Sequence, residues 1–482
     1  MRRLLPLVAL AGCMTAPAVP TLVAPPGATG AFTAGMAGGG LAARMAGGDL
    51  AAGMAGEIAP VPDDWWRLYA DPVLDELVGA SLAANVDLRI AYANLAGARA
   101  AQAQARAARA PQTTVESSAG IDDPAAQPSV SATVPTTKYD LALTASWEID
   151  LFGRLRSAAL AAGADADAQA AAADGVRVAV AADTVQAYVD LCGATQAQRV
   201  ANEQLDLLLR SAALVGDQFR AGEVSPLEVS QAANLVATAR AVIPPFAAAN
   251  ANARFRLAAL QGRPPAAARA MKIACAAPPR LGGSLPIGDG TALLLRRPDV
   301  REAERRLAAA TVRIGVATAD LYPRVNLGGA IGLLSGGLAA TVSPFVSWSF
   351  PNQAPVRARL GQARALQQAA LAGWDAAVLR ALREVETALA GLDAETRRNR
   401  YLGDAVAEAG LSARRAAARV RLGDAASLLQ IDAERTRAQA ALAQAQSDLA
   451  RSQAEVALFR ALGGGWQSGA SIARADAAGG PG

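Results

Sequence analysis

Few side chains in this sequence are able to do chemistry, and their types narrow what the chain can be. Among 482 residues there is no histidine. That excludes Ser-His-Asp and Cys-His nucleophiles and His-ligated metal sites together. No carboxylate pair or nucleophile stands out in a pocket-like context, so neither an enzyme nor a metal site is expected. Three cysteines remain. Only Cys13 has a setting that points to covalent chemistry: Arg2 and Arg3 precede a short apolar stretch, Leu4 to Leu10, and Leu-Ala-Gly-Cys follows at 10–13. The stretch is too short to span a bilayer but suits a secretory signal. Cys192 falls in a helical run and Cys275 in an irregular linker. Nothing in the sequence shows whether they pair, and both read as small buried hydrophobes.

The Leu-Ala-Gly-Cys sequence resembles the bacterial lipobox, which implies cleavage before Cys13 and a lipid on its thiol. The small-small-Cys spacing directly after the apolar core favours this over a plain signal peptide with an incidental cysteine. Met14, where an Asp could stand, resembles an outer-membrane address. Such a lipid adds membrane affinity but spans nothing, and no other cofactor is expected. The formal net charge of +4 is mild and dispersed, which argues against nucleic acid as a partner. Alanine dominates and aromatics are only 4%, so close helix-on-helix packing replaces a large aromatic core. Past the signal no run of 18 apolar residues appears; even the Ala-rich stretch after Leu155 carries Asp165, Asp167, Asp174 and Asp183. A membrane crossing by this chain would have to use strands.

The elements that position these residues come twice. Trp147 and Trp348 mark the ends of two strictly alternating stretches, and 348 − 147 = 201; Gly222 and Gly423 sit at matching helix breaks, and 423 − 222 = 201 again. Equal offsets from different landmarks indicate two tandem repeats. The expected organisation is a signal peptide at 1–12 and a lipidated Gly/Ala/Pro-rich tether at 13–62. Repeat one then covers 63–262, a linker 263–292, repeat two 293–466 and a disordered tail 467–482. Each repeat reads as helix, β-hairpin, long helix and return helix. The first helix is expected from Pro72 to Ala110, stopped by Pro111, and its counterpart from Pro298 to Leu321. Strands are expected at Thr113–Ile121, Tyr139–Leu151, Val325–Leu333 and Leu338–Phe350 from their period-2 alternation. A polar loop with Asp122, Asp123, Pro124 and Pro128 and a tight Ser335-Gly336-Gly337 turn connect them. Long helices are expected at 154–221 and 355–422, each about 100 Å at 1.5 Å per residue. Pro244-Pro245 should kink the first return helix.

Four strands cannot close a barrel, since about eight is the smallest bacterial case, and an open edge in lipid leaves backbone groups unpaired. Copies of the chain must supply the rest. The expected fold is mainly α with membrane β: a long-helix α-barrel in the periplasm, plus four strands per chain in a trimeric 12-stranded β-barrel. Lipid address, shared barrel and helical tube together describe a channel bridging outer membrane and periplasm. The competing class is a trimeric coiled-coil structural or adhesin protein, or a periplasmic adaptor. An adaptor should carry a lipoyl-like β module and a single hairpin, and an adhesin should keep its strands at one terminus.

Four further stretches, Trp-Glu-Ile-Asp-Leu-Phe-Gly-Arg (147–154), Leu-Leu-Leu-Arg-Arg-Pro-Asp-Val-Arg-Glu-Ala-Glu-Arg-Arg-Leu (293–307), Ala-Asp-Leu-Tyr-Pro-Arg (319–324) and Phe-Arg-Ala-Leu-Gly-Gly-Gly-Trp (459–466), stand in order along the chain. With the duplicated tip turns, they resemble the TolC-like trimeric outer-membrane efflux family, nearest its lipoprotein OprM/NodT-type branch. The resemblance implies a passive exit duct in a tripartite pump, with a periplasmic membrane-fusion adaptor and an inner-membrane transporter (RND or similar) as partners. It implies adaptor docking at Gly222, Ser225, Pro226 and Leu227, and at Gly423, Asp424, Ser427 and Leu428. The same glycines and serines also serve simple helix–turn–helix chemistry. It further implies a charged aperture at Asp432 and Arg435, with Leu428 one turn earlier, opening as the helices twist apart. A solvated helix residue is the alternative for Asp432. The position 201 earlier, Gln231, is uncharged, so any gate is asymmetric between repeats.

Overall fold

The structure, a computed structural model, describes residues 22, 62–122, 136–281, 293–294, 296–334 and 337–464. The signal at 1–12, Cys13, nearly all of the tether, the loop bearing Asp123, Pro124 and Pro128, Ser335-Gly336 of the tight turn, 282–292 of the linker and the tail at 467–482 lie outside the described residues. In chain order the elements are α1 (Pro72–Ala84), α2 (Val86–Ala107), β1 (Gln112–Asp122), β2 (Thr136–Ile149), α3 (Arg154–Arg220), α4 (Pro226–Leu260), α5 (Pro298–Ala319), β3 (Arg324–Leu334), β4 (Gly337–Ser347), α6 (Ala354–Arg421) and α7 (Ser427–Ala461). Short 3-10 helices lie at Trp65–Tyr69 and Pro265–Ala270. The chain forms two compact units, one drawn from 92–172 and 301–377, the other holding the remaining described helices.

The first unit holds the sheet. All four strands are antiparallel in the order β1-β2-β3-β4, so the hairpins of the two repeats join directly through β2 and β3. Trp147 pairs with Leu327 and Ile149 with Val325. The register places Val115, Leu141, Leu143, Trp147, Ile331, Leu338 and Val342 on one face. Protein does not cover that face: Val115 is 68%, Leu338 82% and Val342 77% exposed. Gly332 is needed where β3 crosses β2, because a Cβ there would sit 2.1 Å from the Leu141 carbonyl oxygen.

The 147–154 motif turns the chain from β2 into α3, and each polar group has a task. The Trp147 indole N–H donates to the Arg109 carbonyl (3.0 Å). Glu148 accepts two hydrogen bonds from Arg154. Asp150 accepts the amides of Leu155 and Arg156 (3.0 and 2.7 Å), capping α3, and Gly153 takes the turn at φ +73°. Phe152 stacks on Tyr322 of the 319–324 motif at 4.7 Å. These caps end β2 at Ile149 rather than at the expected Leu151. Similarly β4 stops at Ser347, short of Phe350, and the Trp348 indole N–H donates to the Leu321 carbonyl (3.1 Å).

In the second unit the buried core joins Trp65, Tyr69, Leu74 and Val78 to Val185, Tyr188 and Leu191 of α3, Leu257 of α4, Leu389 and Leu392 of α6, and Phe459 of α7. Trp65 stacks on Phe459 at 4.5 Å. The Asp71 carboxylate caps α1 through the Val73 and Leu74 amides and accepts the Tyr188 hydroxyl at 2.6 Å. The expected single helix from Pro72 to Ala110 is instead two. Asn85 leaves the helix to accept the Leu88 amide and donate to the Leu260 carbonyl, which ends α4. Pro244 and Pro245 lie inside the return helix, which continues as α4 through both, and α4 and α7 have 35 residues each. By composition alone α4 is also long and apolar enough to cross a membrane. Alanine gives it that character, and Asn250 and Arg254 tie it to Thr195 and to the linker carbonyls of Met271 and Ile273.

The linker is bolted down. Cys192 and Cys275, read from the sequence as small buried hydrophobes with their pairing left open, form a disulfide with Cα atoms 5.4 Å apart. Their sequence separation of 83 kept the contact out of reach of local pattern. Nearby Asp448, 10% exposed, accepts from Gln196, Asn399, Gln444 and Arg280, binding α3, α6, α7 and the linker at one carboxylate. Where repeat two starts, Arg297 is buried and donates to Asp299, Glu384 and the Ala461 carbonyl. A cross-link over this separation is worth about 4.5 kcal/mol on the chain-entropy account. Changing Cys192 and Cys275 to Ser is therefore expected to lower the thermal midpoint and expose 271–281 to protease; an unchanged midpoint and cleavage pattern would contradict the bolt.

Candidate functional site

The two outgoing helices end at matched turns. After α3, Gly222 adopts φ +78° and the Glu223 amide reaches back to the Gln218 carbonyl; after α6, Gly423 adopts φ +73° and the Asp424 amide reaches the Arg419 carbonyl. This is the left-handed helix stop that glycine permits without strain. Both turns thus put Gly222 and Gly423 at the same geometric station.

The starts of the return helices differ. Ser225 caps α4: its hydroxyl accepts the Leu227 amide, while the Glu228 carboxylate accepts the Ser225 amide at 2.9 Å. With Pro226 at the first helical position, this is a complete capping box. The Ser225 hydroxyl also holds the Glu228 carboxyl below its ordinary range. In the second tip the residue 201 further on is Ala426, which occupies the cap position and has no side-chain cap. Ser427, from which a cap was expected, is the first residue inside α7. The tip is closed differently, by Arg419 donating to the Asp424 carboxylate at 2.9 Å. Leu227 and Leu428 do correspond (428 − 227 = 201) and project into solvent, 64% and 49% exposed.

Just above the second tip, Ile431 is buried with Val215 of α3 and Ala232 of α4, which fixes the start of α7. The next residue, Asp432, points outward and pairs with Arg435 one turn on. Both side chains are half exposed, and ion pairs of that kind hold with only about 0–1 kcal/mol. Arg435 can therefore exchange partners at little cost. Its side chain also lines a cavity of about 220 Å³ between α3, α4 and α7, walled by Val200, Leu208, Leu235 and Leu442. Sequence reasoning missed this cavity because its walls come from three helices far apart in the chain.

An antiparallel sheet with one bare apolar face and two free edges, joined to helices of 67 and 68 residues whose turns expose leucine, defines a protein of the outer-membrane channel class. The profile of the outer membrane efflux protein family matches residues 77–263 and 291–464, and the chain belongs to that family. It is similar to the pyoverdine export outer membrane protein OpmQ of Pseudomonas putida, 30% identical over 429 residues covering 85% of this chain and 89% of the relative. Outer membrane protein OprJ of Pseudomonas aeruginosa is 31% identical over 420 residues, 85% and 88%. The solved outer-membrane channel OprN superposes with a TM-score of 0.83 at 35% identity, covering 93% of this chain and 99% of that one. The chain is thus an outer-membrane efflux channel reaching into the periplasm, the exit duct of a tripartite pump, in a family of channels.

The unequal caps give a local test. Ser225→Ala should speed amide hydrogen exchange at Leu227 and Glu228 about fivefold, and Ala426→Ser should slow it by a similar factor at Leu428 and Leu429. Equal, unchanged exchange at both tips would show that the caps do not govern them.

Proposed function

We propose that three copies of the chain form the working duct. Each contributes four strands to one 12-stranded barrel, and their long helices line a periplasmic tube about 100 Å long. The observation that carries this reading is the pair of sheet edges, β1 and β4, that have no partner strand among the described residues, beside a face as exposed as Leu338 and Val342. In hydrocarbon every bare amide and carbonyl costs several kcal/mol, and pairing β1 of one copy with β4 of the next removes that cost.

Cargo passes unmodified through this duct, with no catalytic residue. A periplasmic membrane-fusion adaptor docks on the tips at Gly222, Ser225, Pro226 and Leu227 and at Gly423, Asp424, Ser427 and Leu428. An inner-membrane transporter, RND or similar, supplies the energy. Exposed Leu227 and Leu428 support the docking surface, since they present apolar side chains at the ends of the hairpins. A lipid on Cys13 anchors the chain among outer-membrane lipids, supported by the Leu-Ala-Gly-Cys spacing. Leu428, Asp432 and Arg435 form the aperture. Three-fold symmetry brings three Asp432 carboxylates towards the axis, where they favour cations until Arg435 changes partners.

The purified protein in planar bilayers should conduct with cation preference, and Asp432→Arg should reverse or abolish that preference while leaving trimer formation intact. Unchanged conductance and selectivity in that variant would remove the aperture from this account; failure of the wild type to conduct would remove the duct.

A further inference from the structure

Between the end of α2 and the start of α3, in the unit that carries the sheet, lies a cleft of about 600 Å³. Gly163 lets the helices meet at its floor, since a Cβ there would come within 3.0 Å of the Gln102 side chain. Arg106, Arg109 and Arg156 line it, all exposed. None has an ion-pair partner among the described residues, and the single acid in the lining is Asp167. The cleft thus holds three positive charges against one negative. Elsewhere in this unit Arg306 is paired with Glu302, Arg313 with Asp165 and Arg324 with Asp320.

Its position suggests the ligand. Arg109 lies three residues before β1, and its carbonyl accepts the indole N–H of Trp147, which belongs to the apolar face of the sheet. Leu160, 48% exposed, lines the same cleft. A cationic rim next to bare apolar surface at the boundary of hydrocarbon fits a phosphodiester carrying acyl chains better than it fits a soluble anion.

We propose that this cleft binds the headgroup phosphate of an anionic phospholipid from the periplasm-facing leaflet, held by Arg106, Arg109 and Arg156, with an acyl chain against Leu160 and the face below Trp147. The site rests on the sheet being embedded in the membrane. It would fix the depth and tilt of each protomer's sheet at the end where the helices begin.

The test uses the full chain as an intact oligomer in nanodiscs with equal amounts of phosphatidylglycerol and phosphatidylcholine, and native mass spectrometry counts the lipids retained after detergent transfer. Wild type should retain phosphatidylglycerol with about tenfold preference. The triple variant Arg106→Gln, Arg109→Gln, Arg156→Gln should lose that preference, and the control Arg400→Gln, Arg414→Gln, Arg415→Gln in the other unit should keep it. If the triple variant fails to assemble, Arg109→Gln alone should show an intermediate loss. An undiminished preference in the variants overturns the site, and displacement of the lipid by millimolar inorganic phosphate reassigns it to a soluble anion. Bilayer conductance of the same preparations reports the duct separately, so a failed lipid site and a failed channel are told apart.

Discussion

The backbone of a four-stranded sheet with two free edges must find hydrogen-bond partners, and the rest of this molecule follows from that constraint. The apolar face already suits the sheet to lipid, because Val115, Leu338 and Val342 are 68%, 82% and 77% exposed among the described residues. Lipid offers no donors or acceptors, so in the proposed duct the edges β1 and β4 meet strands of other copies. Closing the sheet by symmetry in turn sets how the long helices gather. Their lengths, 67 and 68 residues, are nearly equal, which suits two helices that leave one ring of strands for the same depth in the proposed duct. The seam between β2 and β3 makes the internal repeat a structural unit: each chain adds one continuous sheet rather than two independent hairpins.

The repeats match where the architecture requires it and diverge where one end must act differently from the other. Gly222 and Gly423 share a conformation, and both return helices have 35 residues. Yet Ser225 is answered by Ala426, Gln231 by Asp432 and Pro244 by Ala445 (445 − 244 = 201). The first tip is tied down by a capping box, while the second relies on an exposed Arg419–Asp424 pair and a buried Ile431. A tip held by weak surface ion pairs moves more readily than one held by a full cap. The charged candidate for the aperture lies in that more loosely secured hairpin. Away from the tips, the disulfide, Asp448 and Arg297 fasten the linker and the helix ends together.

Much of this was legible in the sequence, for physical reasons. Strand positions could be read because a sheet with lipid on one face must alternate, and the alternation at Leu141–Trp147 is strict. Helix lengths could be read because glycine marks the stops at 222 and 423. What escaped was set by contacts between distant residues. Asn85 breaks a helix because its amide reaches Leu260, 175 residues away. The pairing of Cys192 with Cys275 and the four-way role of Asp448 exist only in three dimensions. At the site, the glycines and leucines of the tips stood out by repetition, whereas the cap at Ser427 was misplaced by one residue because Leu follows Ser there as it follows Ser-Pro in the first tip.

The central claim is that the edges of this sheet are sealed by identical neighbours. The most direct measurement is oxidative cross-linking in native membranes of chains carrying one cysteine on β1, at Thr114, and one on β4, scanned over Thr341, Ser343 and Ser347. The account predicts that one register yields dimers and trimers under denaturing, non-reducing conditions, with the ladder ending at three. Only monomers in every register, or a ladder that runs past three, would contradict it.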